Sequence, residues 1–488
     1  MFMFFPACRT RSYIATRGLP RLPQVHRIFG PLSTSSPHSP PSRPAHSGRS
    51  SSSFTMQPSS VNTPKLLPFG KLIDEEQLPG YDYRNYYPAN PGDVIDSRYE
   101  LVAKLGWGSD STVWLAKVIS SDAPCAKRNY VAIKFCNSDI SGPEKWLEAE
   151  MNMHLATTKP EHQGRGALAT AFEAFEILSP RGCTHLALVF EPLREPLWLF
   201  KRRLDNQRST SRSKRLPLIK TYIQILLEGL NYMHSQCRVL HTDLKLDNIM
   251  LTFESQSTIK TFVDEQIAQP MARKVFNDHI VYRCHNDFGP ILKSLGKMMP
   301  NITDFGLAHR CEVPVLFYPI QPDGYRAPEV LLGYGWSFSA DIWNFGLVVW
   351  ELLTGRSLFS TPGTPYNAAQ HLADMIALLG DVPADILRRE RDLRYHKWPF
   401  QARNMAGKLC DNATDFYGGP FFDDEGRFLH DRLIARSRNL EGEVPDFLKS
   451  EVELFLPFMR RMLCWSPQDR ATADDLVDDP WLGPCHWR

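Results

Sequence analysis

The sequence predicts an α+β fold of two lobes, a small β-rich N-lobe followed by a large, mostly helical C-lobe. Short segments rich in apolar and β-branched residues, YVAIKFC (130–136) and THLALVF (184–190), are typical of strands. Later segments are longer and carry apolar residues at helical spacing, as in IKTYIQILLEGLNYMH (219–234) and FSADIWNFGLVVWELLTG (338–355). This change of pattern predicts a boundary between the lobes near residue 192.

Within this division the N-lobe is expected to span residues 99–192 and the C-lobe residues 193–485, with inserts at 201–215, 252–300 and about 361–450. The first insert, KRRLDNQRSTSRSKR, has seven basic residues out of fifteen. Such a charged run predicts an exposed loop.

The composition is that of a folded chain. Its 488 residues, 43% of them hydrophobic, are enough for a large core. A net charge of +2 gives no indication of nucleic-acid binding, and we expect no direct nucleic-acid partner. Ten cysteines without CxxC pairs predict free thiols in a reducing compartment. The longest apolar stretch, around Ile342 to Leu353, is shorter than the roughly 18 residues of a membrane span, so we expect no membrane partner.

Residues 1–80 differ from the rest of the chain. Up to Ile73 there are seven Arg, two Lys and no Asp or Glu, and subtracting this +9 from +2 leaves −7 for residues 74–488. Residues 31–60 hold six Pro and twelve Ser, which is typical of disorder. The beginning, CRTRSYIATRGLPRLPQVHRIFG, is similar to a mitochondrial transit peptide, and a disordered extension is the alternative. Order is expected to begin near Tyr81.

A glycine-containing turn is the first candidate binding feature. Residues Tyr99 to Ala116 alternate apolar and polar on both sides of Gly106, which predicts a hairpin. In LGWGSDSTVWLA (105–116), the glycines Gly106 and Gly108 let backbone N–H groups approach phosphate oxygens. Two glycines in a hairpin are weak evidence by themselves.

Lys134 strengthens that interpretation, because it lies in VAIK on a predicted core strand, 26 residues after Gly108. A buried ammonium group is costly unless an anion compensates it. We expect a phosphate and a helix carboxylate beside it. Glu150, on the following helix EKWLEAEMNMHL (144–155), is the predicted partner, in preference to Glu148, which is expected on a different side of the helix.

The stretch HTDLKLDNIML (241–251) is the most informative chemically. Asp243 can accept a hydroxyl proton, Lys245 can neutralise a transferring phosphoryl group, and Asn248 can hold a metal. Asp304 in TDFGLA is expected to be a second metal ligand, because Mg²⁺ binds such oxygen ligands alongside phosphates.

YRAPEV (325–330) follows, and its Glu329 is predicted to pair with Arg470 of WSPQDRATADDL (465–476). Five such elements in this order argue against chance matches in polar loops.

With these motifs the sequence resembles the eukaryotic protein kinases over about residues 99–485. The resemblance implies the bilobal protein-kinase fold, with ATP in the cleft and two Mg²⁺ ions on its phosphates. It implies that Asp243 is the catalytic base, that Lys134 holds phosphates and pairs with Glu150, and that the hinge of residues 190–193 faces adenine. The nucleotide-binding residues implied in this way are Leu105, Gly106, Trp107, Gly108, Ser109, Asp110, Ser111, Thr112, Val113, Lys134, Glu150, Glu191 and Leu193, with Asn248 and Asp304 as metal ligands and Asp243 and Lys245 as catalytic residues.

More specifically, HTD, GWGSDSTVWLA and the lead-in YDYRNYYPANPGDVI resemble the SR-protein-specific kinases, of the CMGC group that also contains cyclin-dependent and MAP kinases. HLADMIALLG (371–380) is similar to the start of that group's C-lobe insert. The long run of 55 residues between Asn248 and Asp304, together with the intact DFG at 304–306, is most similar to the fungal branch of these kinases. The resemblance implies a monomeric serine/threonine kinase in cytoplasm and nucleus that phosphorylates Ser in Arg/Ser-rich splicing proteins, while the N-terminal extension leaves a mitochondrial location open.

The region after Asp304 bears on regulation. Many kinases bind an activation-loop phosphate through an Arg before the catalytic Asp, and here that position is Thr242. The segment from Asp304 to Glu329 contains no Ser or Thr. We therefore expect activity that needs no Ser/Thr phosphorylation in this segment.

Two residues depart from the kinase pattern. Ser111 replaces the third glycine of the loop, and Pro322 stands where Ser/Thr kinases carry a Thr that bridges the catalytic Asp and Lys. They raise the alternative of a pseudokinase scaffold without phosphoryl transfer, although Lys134, Asp243 and the metal ligands are all present.

Two surface features bear on substrates. Residues 415–453 hold ten Asp/Glu against five Lys/Arg, which is either a steering surface for basic peptides or a solvated acidic surface. RSTSRSKR (208–215) places Ser next to Arg and is either a site of self-phosphorylation or a solubilising loop.

Overall fold

The structure is a computed structural model and describes residues 63–484 apart from 140–141, 207–211, 291–294, 314 and 360–364. Residues 1–62 of the N-terminal extension, on which the transit-peptide prediction rests, lie outside the described residues. Residues 63–80 are described: Leu66 forms a β-bridge with Arg273 of the 252–300 insert, and Asp74 and Glu75 are buried beside Lys104 of the N-lobe. The expected start of order at Tyr81 is therefore too late, because carboxylates of this segment compensate a buried lysine of the N-lobe.

The N-lobe is built on a six-stranded antiparallel sheet, in the order β1-β2-β3-β4-β6-β5. Its strands are β1 (Val94–Ile95), β2 (Tyr99–Trp107), β3 (Ser111–Val118), β4 (Tyr130–Cys136), β5 (Glu173–Leu178) and β6 (Thr184–Phe190). The predicted hairpin is present, and its turn lies at residues 108–110, because Gly106 still belongs to β2. One helix, α1 (Leu147–Thr157), follows β4 and comes after a 3₁₀ turn.

The C-lobe is mostly helical, as predicted. Its helices are α2 (Leu197–Asn206), α3 (Arg212–Asn231), α4 (Gln256–Ala268), α5 (Pro328–Leu331), α6 (Ser339–Thr354), α7 (Ala368–Leu379), α8 (Ala384–Leu393), α9 (Ala413–Tyr417), α10 (Val452–Arg460) and α11 (Ala473–Val477). Its strands are β7 (Glu195–Pro196), β8 (Val239–Leu240), β9 (Ile249–Leu251), β10 (Arg273–Val275), β11 (Ile280–Tyr282), β12 (Pro300–Ile302), β13 (His309–Arg310), β14 (Ala402–Arg403) and β15 (Leu409–Cys410).

Two short sheets hold the segments that carry the predicted chemistry. Strand β9 lies between β12 and β7, and β13 pairs with β8. Consequently the end of the 241–251 segment lies beside the approach to Asp304. Helix α6 runs through the middle of the C-lobe core, with Trp343 and Asp341 fully buried.

The insert at 201–215 is not a loop throughout. Its first residues end α2 and its last residues begin α3, and Arg215 is buried. The intervening residues 207–211, which include the first half of the Ser/Arg run at 208–215, lie outside the described residues. Residues 201–215 were predicted as a loop because their charge masks the helical segments at both ends.

The insert at 252–300 leaves the C-lobe and covers the N-lobe sheet. Its α4 residues Phe262 and Val263 belong to one apolar cluster with Leu101 and Trp114 of the sheet. This insert therefore adds apolar surface to the smaller lobe. The cysteines in the described part of the chain are all free thiols, and no helix there has the length and apolar character needed to cross a bilayer.

Candidate active site

The glycine-containing turn lies at the end of the β2–β3 hairpin. The N–H of Gly108 donates to the carbonyl of Ser111 over 2.9 Å, which closes the turn. A Cβ placed on Gly108 would contact nothing within 4 Å, so packing inside the protein does not require glycine there. A glycine at such an open position would allow a ligand to approach the backbone closely. Ser111 is buried at the start of β3 and is paired with Cys136.

Lys134 lies in the middle of β4 and its ammonium group contacts two carboxylates. Nζ is 2.5 Å from Oε1 of Glu148 and 3.2 Å from Oδ1 of Asp304. Burial disfavours the charged ammonium group, but the carboxylates of Asp304 and Glu148 outweigh it and hold the pKa of Lys134 above its usual value. The lysine therefore stays charged and joins three elements of the cleft.

The prediction that Glu150 pairs with Lys134 is wrong, because Glu148 forms that ion pair. The buried residues of α1 are Glu148, Met151, Asn152 and Leu155, which follow the i, i+3, i+4, i+7 spacing of one helix face. Glu150 is exposed, because two residues correspond to about 200° of rotation around a helix.

Asp243 is held at the start of the 241–251 segment by its neighbours. Its Oδ2 accepts hydrogen bonds from Lys245 Nζ at 2.8 Å and from Asn248 Nδ2 at 2.9 Å. Its Oδ1 is buried and has no hydrogen-bond partner among the described residues. One oxygen is thus used to orient the carboxylate, and the other keeps its capacity to accept a proton.

A buried aspartate of α6 fixes the backbone that presents Asp243. The N–H groups of His241 and Thr242 donate to Asp341 at 2.7 and 2.9 Å. Burial favours the neutral carboxyl, but hydrogen bonding by His234 and the backbone outweighs it and lowers the pKa of Asp341. This ionised anchor supports Thr242 at a φ of 65°, a left-handed conformation that costs a β-branched residue energy.

Asp304 follows β12 and lies across from Asn248. The N–H of Thr303 donates to the carbonyl of Asn248 over 2.9 Å, which ties the two segments together. The nearby Lys134 charge outweighs burial and holds the pKa of Asp304 well below its usual range. The carboxylate is therefore ionised at neutral pH.

The donor set of Asp304 and Asn248 fits Mg²⁺. Both residues offer oxygen, and the Asn248 amide nitrogen is already used to bond Asp243, which leaves its oxygen as the ligand. Within the described ranges no group of three or more His, Cys, Asp or Glu side chains is arranged to hold a metal. Such a sparse set suits an ion that takes its other ligands from phosphates and water.

The expected hinge connects β6 to β7. The Glu191 side chain is partly exposed and pairs with Arg128, and Leu193 is partly buried. Directly after it, the fully buried Arg194 donates to Glu254 at 2.9 Å and to the carbonyl of Gly289 at 2.8 Å. The 252–300 insert is therefore anchored at the hinge as well as on the N-lobe.

Two acidic residues next to the site were missed in the sequence. Glu351, at the end of α6, accepts a hydrogen bond from Tyr325, and Asp247 lies close enough to raise its pKa. Burial is the main cause of the raised pKa of Glu351, and the Asp247 carboxylate adds to it. Asp247 itself is exposed and has the Asp243 carboxylate nearby. A charged residue inside the apolar run IWNFGLVVWELLTG was the signal that could have found Glu351.

The segment after Asp304 is held by aromatic and backbone contacts. Leu316 and Trp336 exchange backbone hydrogen bonds of 3.0 and 2.8 Å, and the Trp336 indole donates to the carbonyl of Tyr318 over 2.7 Å. Further on, Arg470 binds both oxygens of Glu329 at 2.5 and 2.7 Å, which confirms that predicted pair.

Comparison with known proteins agrees with this geometry. The family model described as protein kinase domain matches residues 99–482, and the chain belongs to the protein kinase family. A serine/threonine protein kinase of Aspergillus fumigatus is 32% identical over 442 residues, covering 88% of this chain and 97% of the relative. The serine/threonine-protein kinase SRPK of Physarum polycephalum is 28% identical over 434 residues, covering 85% and 93%.

A solved kinase-domain structure matches with a TM-score of 0.56 at 21% identity, covering 82% of this chain and 100% of that one, which shows the shared fold. The predicted bilobal α+β kinase fold is confirmed. The chain is a serine/threonine protein kinase similar to the SR-protein kinases, and the pseudokinase alternative has no support.

Proposed function

We propose that this kinase transfers the γ-phosphoryl group of Mg²⁺-bound ATP to serine hydroxyls in Arg-rich proteins, with Asp243 as the base. The observation that carries the proposal is the buried Oδ1 of Asp243, which has no hydrogen-bond partner in the described part of the chain, while Lys245 and Asn248 hold the other oxygen. A carboxylate fixed in this way can accept a hydroxyl proton at a defined position.

The reaction balances with these groups. The serine oxygen bonds to the γ-phosphorus, the bond from that phosphorus to the bridging oxygen breaks, and ADP leaves with the electron pair. Asp243 Oδ1 takes the serine proton. Lys245, 2.8 Å from Asp243 Oδ2, contributes a positive charge to the transferred group.

The nucleotide would lie between the glycine-containing turn and Lys134. Lys134 offers its ammonium group to the phosphates and is oriented by Glu148. Asn248 and Asp304 would hold the metal, which supplies charge neutralisation on the phosphates. Since Lys245 contacts Asp243 directly, Pro322 is compatible with catalysis without the bridging Thr hydroxyl.

Two observations support a basic substrate. The SRPK and SRSF protein kinase names of relatives point to serine/arginine proteins. Asp247 lies in the catalytic segment and its carboxylate raises the pKa of the nearby Glu351, so a bound guanidinium group would relieve the repulsion between them. The acidic stretch 415–453 is a weaker candidate, because Asp423 and Glu425 already pair with Arg427.

The first experiment compares the wild type with Asp243→Asn on an Arg/Ser peptide. We expect phosphate transfer to fall by at least about 100-fold while binding of Mg²⁺ and ATP persists. Equal turnover by both proteins, or none by the wild type on any protein substrate, would contradict the proposed mechanism.

The second experiment tests the substrate. The double variant Asp247→Asn, Glu351→Gln is expected to raise the KM for an Arg-rich peptide about tenfold, with the KM for ATP unchanged. Changing Asp423, Asp424 and Glu425 to Lys should have a smaller effect. A larger effect of the triple variant would assign recognition to the acidic stretch 415–453 instead.

Location and oligomeric state belong to the same proposal: a monomer of cytoplasm and nucleus. A C-terminal fluorescent fusion, with and without residues 1–73, tests the location. Mitochondrial import that is lost on truncation would favour the transit-peptide interpretation.

A further inference from the structure

The strand that leads into the glycine-containing turn is held from outside the kinase domain. Lys104 of β2 is 1% exposed, and its ammonium group pairs with Asp74 at 3.3 Å and with Glu75. Both carboxylates lie in residues 63–95, which precede the 99–482 match to the family model. A buried lysine with two such partners firmly ties this preceding segment to β2.

The 252–300 insert secures the same place from the other side. The N–H of His285 donates to the carbonyl of Lys104 over 2.9 Å, and the thiol of Cys284 donates to the carbonyl of Leu105 over 2.7 Å. Lys274 of the insert pairs with Glu76 at 2.6 Å. The preceding segment and the insert are therefore joined to each other as well as to β2.

Tyr86 of the preceding segment contacts the turn itself. Its hydroxyl oxygen lies 3.0 Å from the carbonyl oxygens of both Gly108 and Ser109, so its single hydrogen is shared between the two acceptors. The side chain is 7% exposed, and burial raises the pKa of Tyr86, so the hydroxyl keeps its proton and remains a donor. The ring packs against Tyr81 with centroids 5.4 Å apart, which fixes its direction.

Asn137 adds to these contacts from the end of β4. Its amide nitrogen donates to the carbonyl of Ser109 over 3.0 Å, and its backbone N–H donates to the carbonyl of Asp110 over 2.8 Å. Three successive carbonyls, from Gly108 to Asp110, are thus bound by Tyr86 and Asn137.

The direction of these carbonyls decides where the turn can bind phosphate. In a trans peptide the C=O and the following N–H point in opposite directions. Binding the carbonyls of Gly108 and Ser109 on one side therefore directs the N–H groups of Ser109 and Asp110 toward the other side. Successive N–H groups aimed in one direction are a binding arrangement for phosphate oxygens.

We propose that Tyr86 is a positioning residue for the nucleotide, acting by orienting the backbone of residues 108–110. The inference rests on the proposed nucleotide site and extends it to a residue outside the kinase domain. Tyr86 touches neither reactant, and its effect passes through the turn.

The test is Tyr86→Phe, which removes only the hydroxyl. We expect the KM for ATP to rise about three- to tenfold, the range for loss of one hydrogen bond, with the KM for peptide within about twofold of the wild type. Hydrogen exchange of amides at 105–113, measured without nucleotide, should become faster. Tyr87→Phe is the matched control, because Tyr87 stacks on Phe135 with centroids 4.5 Å apart and does not bond to the turn.

Unchanged KM for ATP and unchanged exchange in Tyr86→Phe would overturn the inference. If that variant failed to fold, Asn137→Leu would decide, since it removes the other side-chain donor to Ser109 and should shift both readouts in the same direction. A wild type without phosphate transfer, but with faster loop exchange in Tyr86→Phe, would refute the proposed function and leave the loop contact standing. An active wild type with no difference between the variants would refute this inference alone.

Discussion

The ammonium group of Lys134 lies 2.5 Å from a carboxylate oxygen of Glu148, and this pair joins β4 to α1 across the N-lobe. The carboxylate is 5% exposed, so the pair is shielded from solvent on its helix side. The position of α1 and the position of the Lys134 ammonium group are therefore linked.

Glu148→Gln should lower kcat/KM about 10- to 100-fold, because the lysine loses the charge that orients it. Glu150→Gln is the matched control on the exposed face of the same helix, and its activity should stay within about twofold of the wild type. Steady-state kinetics with a basic peptide measure both. Equal losses in the two variants would mean that charge on α1 matters rather than this contact.

Treatment with a broad phosphatase should leave activity within about twofold. Thr242 donates its hydroxyl to the carbonyl of Leu307 over 2.7 Å, and contacts between Leu316 and Trp336 hold the following segment without a phosphate. Kinase assays before and after treatment, with mass spectrometry of residues 304–329, test this. A large loss of activity that maps to a phosphorylated residue in that range would contradict it.

Arg470→Met should destabilise the C-lobe by about 3–5 kcal/mol, because Glu329 would be left as a buried, unpaired charge. Both side chains are fully buried, and the guanidinium group also donates to carbonyls of Ser339 and Cys464. Urea unfolding followed by tryptophan fluorescence measures the loss. The double variant Arg470→Met, Glu329→Leu should recover part of it, and a single-variant cost below about 1 kcal/mol would show that the pair contributes little.

Stability should fall as the pH drops below about 6.5, in part through His371. Burial, helped by Arg326, lowers the pKa of His371 to about 3. The unfolded chain binds this proton below its ordinary pKa near 6.5, whereas the folded chain does not until about pH 3. The contribution of His371 to the free energy of unfolding is therefore complete above pH 6.5. Below that pH it decreases by about 1.4 kcal/mol per pH unit.

His371→Asn keeps an acceptor for the Tyr366 hydroxyl, which lies 3.1 Å from the imidazole, and should flatten this dependence. His430→Asn, at an exposed histidine, controls for the loss of one imidazole. The free energy of unfolding between pH 5 and 7.5 is the measurement, and parallel profiles for wild type and His371→Asn would refute the assignment.

Much of the fold follows from local pattern. The segments 130–136 and 184–190 are strands β4 and β6 at the predicted residues, because β-branched runs suit a pleated, buried surface. The residues of the 241–251 segment also come together as expected, since Asp243, Lys245 and Asn248 are close enough in sequence to meet within one loop.

The local pattern did not predict which face of α1 docks on the lobe. A 3₁₀ turn at Gly142–Trp146 precedes the helix, and the face that docks on the lobe includes Glu148. The sequence showed a helix with two candidate glutamates, but which of the two lies on the buried face depends on how the helix docks.

The sequence by itself determined the two lobes, the strands and helices that carry the candidate site, and the residues that come together in the 241–251 segment, because each is encoded over a few neighbouring residues. Only the tertiary structure decided that Glu148 is the partner of Lys134, that the 252–300 insert covers the smaller lobe, and that Tyr86 reaches the turn at Gly108. These contacts join residues that are 14 to more than 150 apart along the chain. They are selected by burial and charge compensation in the assembled fold, which no local pattern records.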